Sequence, residues 1–119
     1  MNKVDALAMK LSVEISFKPV LENLNREVIP ARDYAVLVYD SLKSEKATSC
    51  DPRFLIAISI LEETIQVLDN VIQICNEIPR LDWFKDETEL QYESMRRCLD
   101  ALHEKAQDLD KQRIMILGR

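Results

Sequence analysis

The sequence predicts an all-α protein, an antiparallel bundle of about four helices with a long C-terminal helical hairpin. Two long apolar stripes with helical spacing lie in the second half of the chain. The prolines, which suit helix starts but not helix interiors, mark the boundaries between elements: Pro19, Pro30, Pro52 and Pro79. We expect one helical domain over residues 1–119, because chains divide into several domains only at greater lengths.

The clearest element is predicted over residues 52–78. Asp51 is a suitable N-cap, and Pro52 suits the first helical position. Apolar residues then recur at alternating spacings of four and three: Phe54, Ile58, Leu61, Ile65, Leu68, Ile72 and Cys75. Further apolar side chains widen this stripe beyond half the helix circumference, so the helix should contact more than one neighbour. We therefore expect it to be the central helix of the bundle.

The last helix is predicted over residues 86–117. Its stripe has the same spacing: Tyr92, Met95, Leu99, Leu102, Ala106, Leu109 and Ile116. Asp86 and Glu89 resemble a capping box, and Gly118 is a suitable helix stop. At 1.5 Å per residue this helix would be about 45 Å long and the central helix about 39 Å. The short connection predicts antiparallel neighbours, with the end of the last helix overhanging.

The first half of the chain admits two interpretations. Two helical stripes of different orientation, one containing Val4 and Ile15 and the other Phe17 and Leu24, predict a helix kinked at Pro19 or two consecutive helices. A further helix would follow Pro30, and a polar loop would precede residue 52. However, residues 11–17 and 34–40 also alternate as strands do and could form a small two-stranded sheet. We favour helices, because an isolated two-stranded sheet is marginally stable.

Composition excludes several function classes. The single glycine, Gly118, leaves no glycine-rich loop for a phosphate or dinucleotide cofactor, and we expect no cofactor. The net charge of −5 and the scattered basic residues argue against nucleic-acid binding and would favour a basic partner. No segment is long and apolar enough to span a membrane. Three cysteines without a C-x-x-C pair indicate free thiols and a cytoplasmic protein.

His103 is the only histidine, which leaves too few ligands for a metal site. Arg97 and His103, separated by five residues on the last helix, resemble the R-x(4–6)-H motif of the HEPN ribonucleases, which are small helical bundles. The resemblance implies that the two residues act on an RNA phosphate across a dimer interface, where Arg97 would stabilise charge on the phosphate and His103 would transfer a proton. Cys98 stands where that family often has a polar residue. A HEPN-like ribonuclease is therefore one alternative function.

Two apolar segments are candidate partner-binding residues. Trp83 and Phe84 lie in a polar connection, where they would either anchor a partner or close one end of the core. The second segment has four consecutive apolar residues that point all round the last helix turn: Ile114, Met115, Ile116 and Leu117. Some of them must be exposed unless a partner or the first segment of the chain covers them.

These observations predict a non-catalytic protein–protein interaction module that acts through helix packing, such as an adaptor, an inhibitor or a chaperone. Its partner would be another protein or a second copy of the chain. A purely structural homo-oligomer is a further alternative, in which a second copy completes the wide apolar arc of the central helix. The outward stripe of the central helix is acidic and amide-rich and is typical of a solvated face: Glu62, Gln66, Asp69, Gln73 and Glu77.

Overall fold

The computed structural model describes residues 2–46 and 51–118, and all the elements among them are helical. Helix α1 spans Lys3–Asn23, a π-helical turn spans Leu24–Val28, and α2 spans Ile29–Lys46. Helix α3 spans Pro52–Glu77, a short 3₁₀ turn spans Ile78–Arg80, and α4 spans Thr88–Leu117. The all-α prediction is confirmed. No strand forms at residues 11–17 or 34–40, which lie inside α1 and α2.

The first half of the chain is one continuous helix, so the described residues form three long helices instead of about four. Helix α1 continues through Pro19, and the irregularity comes later, at the π turn. There the Ile29 N–H donates to the Leu24 carbonyl, five residues back. A wide turn just before Pro30 is physically reasonable, because a proline ring clashes with the carbonyl four residues earlier in a regular α-helix. We call residues 3–46 together the N-terminal helix.

The molecule is a rod of 63 × 22 × 20 Å, whose length matches that of the N-terminal helix. Its 44 residues would extend about 66 Å at 1.5 Å per residue. Helix α3 packs along α2 on one side and along α4 on the other, as expected for a central helix. Early residues of α3 lie beside late residues of α4, since Ile56 and Met115 line one groove. Near the middle of both helices, Lys105 Nζ is 2.8 Å from Glu63 Oε1.

Three clusters of buried side chains form the core. The first joins α1 to the connection before α4 and contains Phe17, Ile78 and Trp83. The second joins α2 to α3 through Leu42 and Leu61, and the third joins α3 to α4. Because α3 contributes to all three clusters, it organises the whole bundle.

The ends of the helices follow the expected chemistry at most positions. The Asp51 carboxylate accepts a hydrogen bond from the Arg53 N–H at 3.0 Å, so the predicted cap of α3 is present. Gly118 ends α4 with φ 72°, a left-handed conformation that favours glycine. The predicted start at residue 86 is two residues too early. Glu87, not Asp86, directly precedes α4, and the Glu87 side chain makes no capping bond.

Candidate functional site

The two aromatic residues of the connection have different environments. Trp83 is buried in the first core cluster, with only 4% of its surface exposed, and its ring meets the Tyr92 ring edge-on at 5.6 Å. Phe84 is more than half exposed. The Asp82 side chain accepts a hydrogen bond from the Phe84 N–H, and its carbonyl accepts one from the Thr88 hydroxyl. These bonds fix the connection so that Trp83 points into the core, which is the alternative to a partner-binding role for this residue.

The four C-terminal apolar residues divide between core and surface. Ile116 packs against the third core cluster and Leu117 against the second. Ile114 is about half exposed and Met115 is 85% exposed. The predicted exposure of some members of this segment is therefore present, and the N-terminal helix covers only one side of the turn.

A shallow groove of about 600 Å³ lies beside Met115, between the start of α3 and the end of α4. Leu55 and Ile56 form its α3 wall and are half exposed, although they belong to the predicted apolar arc of α3. At this end of the rod the apolar arc of α3 therefore extends beyond its two neighbouring helices.

A longer cleft runs between the N-terminal helix and α4, which flank α3 without close backbone packing on each other. Three adjoining cavities of about 260, 530 and 220 Å³ make up this open cleft. The first two share His103, and the last two share Tyr34. On the N-terminal helix the lining extends from Val20 to Glu45, which is about 37 Å at 1.5 Å per residue.

The floor of the open cleft is one face of α3, and it is mainly apolar. It consists of Leu61, Thr64, Leu68, Val71 and Cys75. The Thr64 hydroxyl donates to the Ile60 carbonyl at 2.8 Å, so it is already bonded within its own helix. Leu68 and Val71 are only partly buried. The floor can therefore accept further apolar contacts.

The rims of the open cleft carry more acidic than basic groups. The acidic residues are Glu27, Glu45, Asp100 and Asp110, and the basic ones are Arg96 and Arg113. Arg113 Nη2 donates to Asp110 Oδ1 at 2.9 Å. The Arg96 guanidinium lies over the Phe17 ring, 5.6 Å from its centroid. The cleft is thus an apolar trough between rims of net negative charge.

The residues of the ribonuclease-like motif are not brought together. His103 lines the open cleft, and its Nε2 lies 3.2 Å from Gln107 Nε2. Arg97 is exposed and lines none of the cavities that contain His103. Six residues at about 100° each place the two side chains about 120° apart around α4. Arg96, not Arg97, shares a cavity with His103.

The described cysteines remain thiols. Cys75 is buried in the floor of the open cleft, and Cys98 is exposed on α4. Burial raises the pKa of the Cys75 thiol, and the nearby positive charge of Arg96 opposes this shift. Cys50 and the rest of residues 47–50 lie outside the described part of the chain. Within that part, no three potential metal ligands cluster together.

The polar face of α3 bonds mainly to itself and to α2. Arg32 Nε donates to Asp69 Oδ1 at 2.9 Å, and this contact raises the pKa of the guanidinium. The Tyr39 hydroxyl donates to Glu62 Oε1, also at 2.9 Å. Gln73 donates to Glu77 one turn away. The polar face of α3 is thus a solvated surface, and its hydrogen bonds to Arg32 and Tyr39 also hold α2 against α3.

Sequence reasoning missed the open cleft and the exposure of one face of α1. The wide apolar arc of α3 was the available signal for the cleft, because two neighbours cover only part of such an arc. For α1 the signal was the pair of stripes, which lie on opposite faces of a single helix. Of these, only the face containing Val13 and Phe17 is buried.

None of the helices among the described residues is sufficiently long and apolar to cross a membrane. Comparisons with protein-family models, with curated proteins and with solved structures found no match.

Proposed function

We propose that this protein is a non-catalytic interaction module whose open cleft binds an amphipathic helix of another protein. The observation that carries this proposal is the trough itself, an apolar α3 floor between two helices that do not close over it. Helix-in-groove docking uses such a surface, with apolar residues spaced three and four apart as anchors. On this proposal the bound helix supplies the fourth helix of the predicted bundle and packs on the α3–α4 hairpin.

The dimensions of the cleft suit a helix. A lined length of about 37 Å matches a helix of about 25 residues. Leu68 and Val71 on the floor would become fully buried, and Tyr34 and Leu37 on the α2 rim would gain contacts. Ile114 follows Asp110 by one turn on the same face of α4. This placement gives one of the predicted C-terminal residues a role at the mouth of the cleft.

The rim charges define the chemistry of the partner. Four carboxylates and two guanidinium groups line the cleft, and the whole chain carries −5. A partner helix with Lys or Arg beside its apolar stripe would be attracted to these rims, which also speeds its encounter with the cleft. We further propose a cytoplasmic location, because free thiols such as Cys98 suit a reducing compartment. We do not propose a ribonuclease, because Arg97 and His103 lie on different faces of α4.

The test uses designed peptides of about 25 residues, long enough to fill the cleft. One peptide carries a leucine stripe flanked by lysines, the second has the same stripe flanked by glutamates, and the third is a scrambled form of the first. Fluorescence anisotropy measures the binding of each labelled peptide. We expect the lysine peptide to bind, the glutamate peptide to bind at least about 10-fold more weakly, and the scrambled peptide not to bind.

Two alanines provide matched variants. Ala31 is exposed and lines the open cleft, whereas Ala101 is exposed on α4 and lines none of its cavities. Ala31→Arg and Ala101→Arg change the net charge equally, so a difference between them reports on location. We expect Ala31→Arg to weaken binding of the lysine peptide by at least about 10-fold and Ala101→Arg to leave it nearly unchanged. Equal effects of the two variants would contradict the proposal.

A further inference from the structure

The outer face of α1 has a contiguous apolar stripe that the described residues of the chain leave exposed. It consists of Val4, Leu7, Leu11 and Ile15, whose side chains are 75%, 49%, 57% and 75% exposed. These positions follow helical spacing and therefore form one continuous strip. Together they leave about 400 Å² of apolar side chain in water, within the range at which the largest patch on a monomer is often functional.

Helix α1 is apolar on two opposite sides. Ala6, Val13 and Phe17 pack into the first core cluster. At about 100° per residue, the exposed stripe is centred roughly 150° away from them. The core therefore explains one side of α1 and leaves the other without a structural role inside the monomer.

We propose that this stripe pairs antiparallel with the same stripe of a second copy of the chain, forming a two-fold dimer through α1. The order of side chains is symmetric, because β-branched residues stand at both ends and leucines in the middle. Antiparallel pairing about residue 9 sets Leu7 level with Leu11 of the second copy. Val4 then lies within about one residue of the level of the second copy's Ile15. A closed two-fold interface requires self-complementarity of this kind.

Charges beside the stripe fit the same pairing. Lys3 and Glu14 lie on the same edge of the stripe. In an antiparallel two-fold pair, each edge of the stripe faces the same edge of the second copy. Lys3 of one copy then lies within about one residue of the level of Glu14 of the other, which places opposite charges near each other at both ends of the interface. Residues 3–22 contain three basic and three acidic side chains, although the whole chain carries −5. Two copies therefore meet through a segment without net charge.

The area also suits a dimer. Burial of four stripe side chains on each copy would remove about 800 Å² of apolar surface from water, and the flanking residues would bring the total near the 1,200 Å² at which specific interfaces begin. A membrane surface is the less suitable occupant, since helices that lie on membranes are usually rich in Lys and Arg and this segment is neutral. This interface is separate from the open cleft and does not depend on the proposed helix binding.

The test measures molar mass by light scattering during size exclusion at about 100 μM protein, a concentration at which even a micromolar dimer is populated. We expect wild type to have twice the monomer mass of 13.8 kDa. The Leu7→Lys, Leu11→Lys double variant should be a folded monomer, with a dissociation constant raised by at least about 100-fold. The matched control is Phe84→Lys, Leu90→Lys, which places the same charges at exposed apolar positions elsewhere and should remain dimeric. The Leu7, Leu11 variant should still bind the lysine peptide in the open cleft.

Disulfide formation tests the register in a background with Cys50→Ser and Cys98→Ser. A mixture of Leu7→Cys and Leu11→Cys proteins should cross-link faster than either protein alone, because antiparallel pairing puts these positions side by side. Faster cross-linking of each variant with itself would overturn the antiparallel arrangement. A wild-type monomer would overturn the dimer, whether or not it co-sediments with phosphatidylserine vesicles. The dimer proposal would also be wrong if the Leu7, Leu11 double variant remained dimeric, or if the control variant dissociated to the same extent as the double variant.

Discussion

Truncation of Trp83 to alanine tests whether this residue holds α1 against the connection before α4. Its ring belongs to the cluster that joins α1 to the connection before α4, and it meets the Tyr92 ring at 5.6 Å with planes inclined by 61°. Backbone packing between α1 and the other long helices is sparse, so α1 depends on side chains of this cluster. Phe84 is the matched control, because it is the next residue and is largely exposed.

The structure gives an expected size for this effect. Removal of a buried aromatic side chain lowers the free energy of unfolding by about 3–5 kcal/mol, since it forfeits burial and leaves a cavity. About 0.5–1.5 kcal/mol of this belongs to the edge-on ring pair with Tyr92. At about 4 °C per kcal/mol for a chain of this length, Tm should fall by more than about 10 °C. Phe84→Ala should lower the free energy of unfolding by no more than about 1 kcal/mol, because half of the Phe84 surface is already in water.

The assay is urea unfolding followed by circular dichroism, together with amide hydrogen exchange of α1. We expect Trp83→Ala to accelerate exchange in residues 3–17 more than in α3, because the loss is local to the first cluster. If Phe84→Ala were as destabilising as Trp83→Ala, or if exchange in α1 did not change, the assignment of Trp83 to the core would be wrong.

Three further predictions follow from burial. Met115→Lys should change the free energy of unfolding by less than about 0.5 kcal/mol, whereas Ile116→Lys should lower it by about 1–3 kcal/mol, as thermal unfolding of the two variants would show. For the thiols, mass spectrometry should detect alkylation of exposed Cys98 before that of Cys75. Because burial raises the pKa of Cys75, its proton is lost at higher pH in the folded state than in the unfolded chain. Folding stability should therefore fall as the pH rises past about 8.5, and Cys75→Ser should reduce that fall.

The second half of the chain was predictable because it contains both periodicity and boundary signals. Asp51 and Pro52 mark the start of α3, and the predicted range of 52–78 ends one residue beyond the helix. Gly118 marks the end of α4. The start of α4 was less accurate, because Asp86 and Glu89 have the residue types of a capping box, but the helix begins only at Thr88. Residue types alone do not determine which neighbouring residue becomes the cap.

The first half was ambiguous for a physical reason. Pro19 suggested a break, yet α1 continues through it, and the wide turn precedes Pro30 instead. The two apolar stripes of this segment were found, but they were interpreted as a helix kinked at Pro19 or as two consecutive helices. A single continuous helix with two apolar faces produces the same pattern. The sequence contains no signal for which face the rest of the chain covers, because that depends on where the connection after α3 lies.

The predicted partner-binding residues illustrate the same limit. Four consecutive apolar residues on one helix turn must point in all directions, so the exposure of Met115 follows from helix geometry alone. The contrast between buried Trp83 and exposed Phe84 does not follow from helix geometry, because one bend in the connection decides which ring turns inward. The open cleft was not predicted, since it arises from the separation between the N-terminal helix and α4. No local pattern in either helix encodes that separation.

The shape of the molecule explains why so much apolar surface remains exposed. A rod of 63 × 22 × 20 Å with three helices has a high ratio of surface to volume, so many of its apolar side chains, which belong to the 47% apolar fraction, must contact water. Isolated exposed residues such as Leu90 follow from this shape and need no partner. The α1 stripe and the floor of the open cleft differ, because their members are contiguous and have helical spacing. Both surfaces run along helices, and this is why we propose helices as their partners.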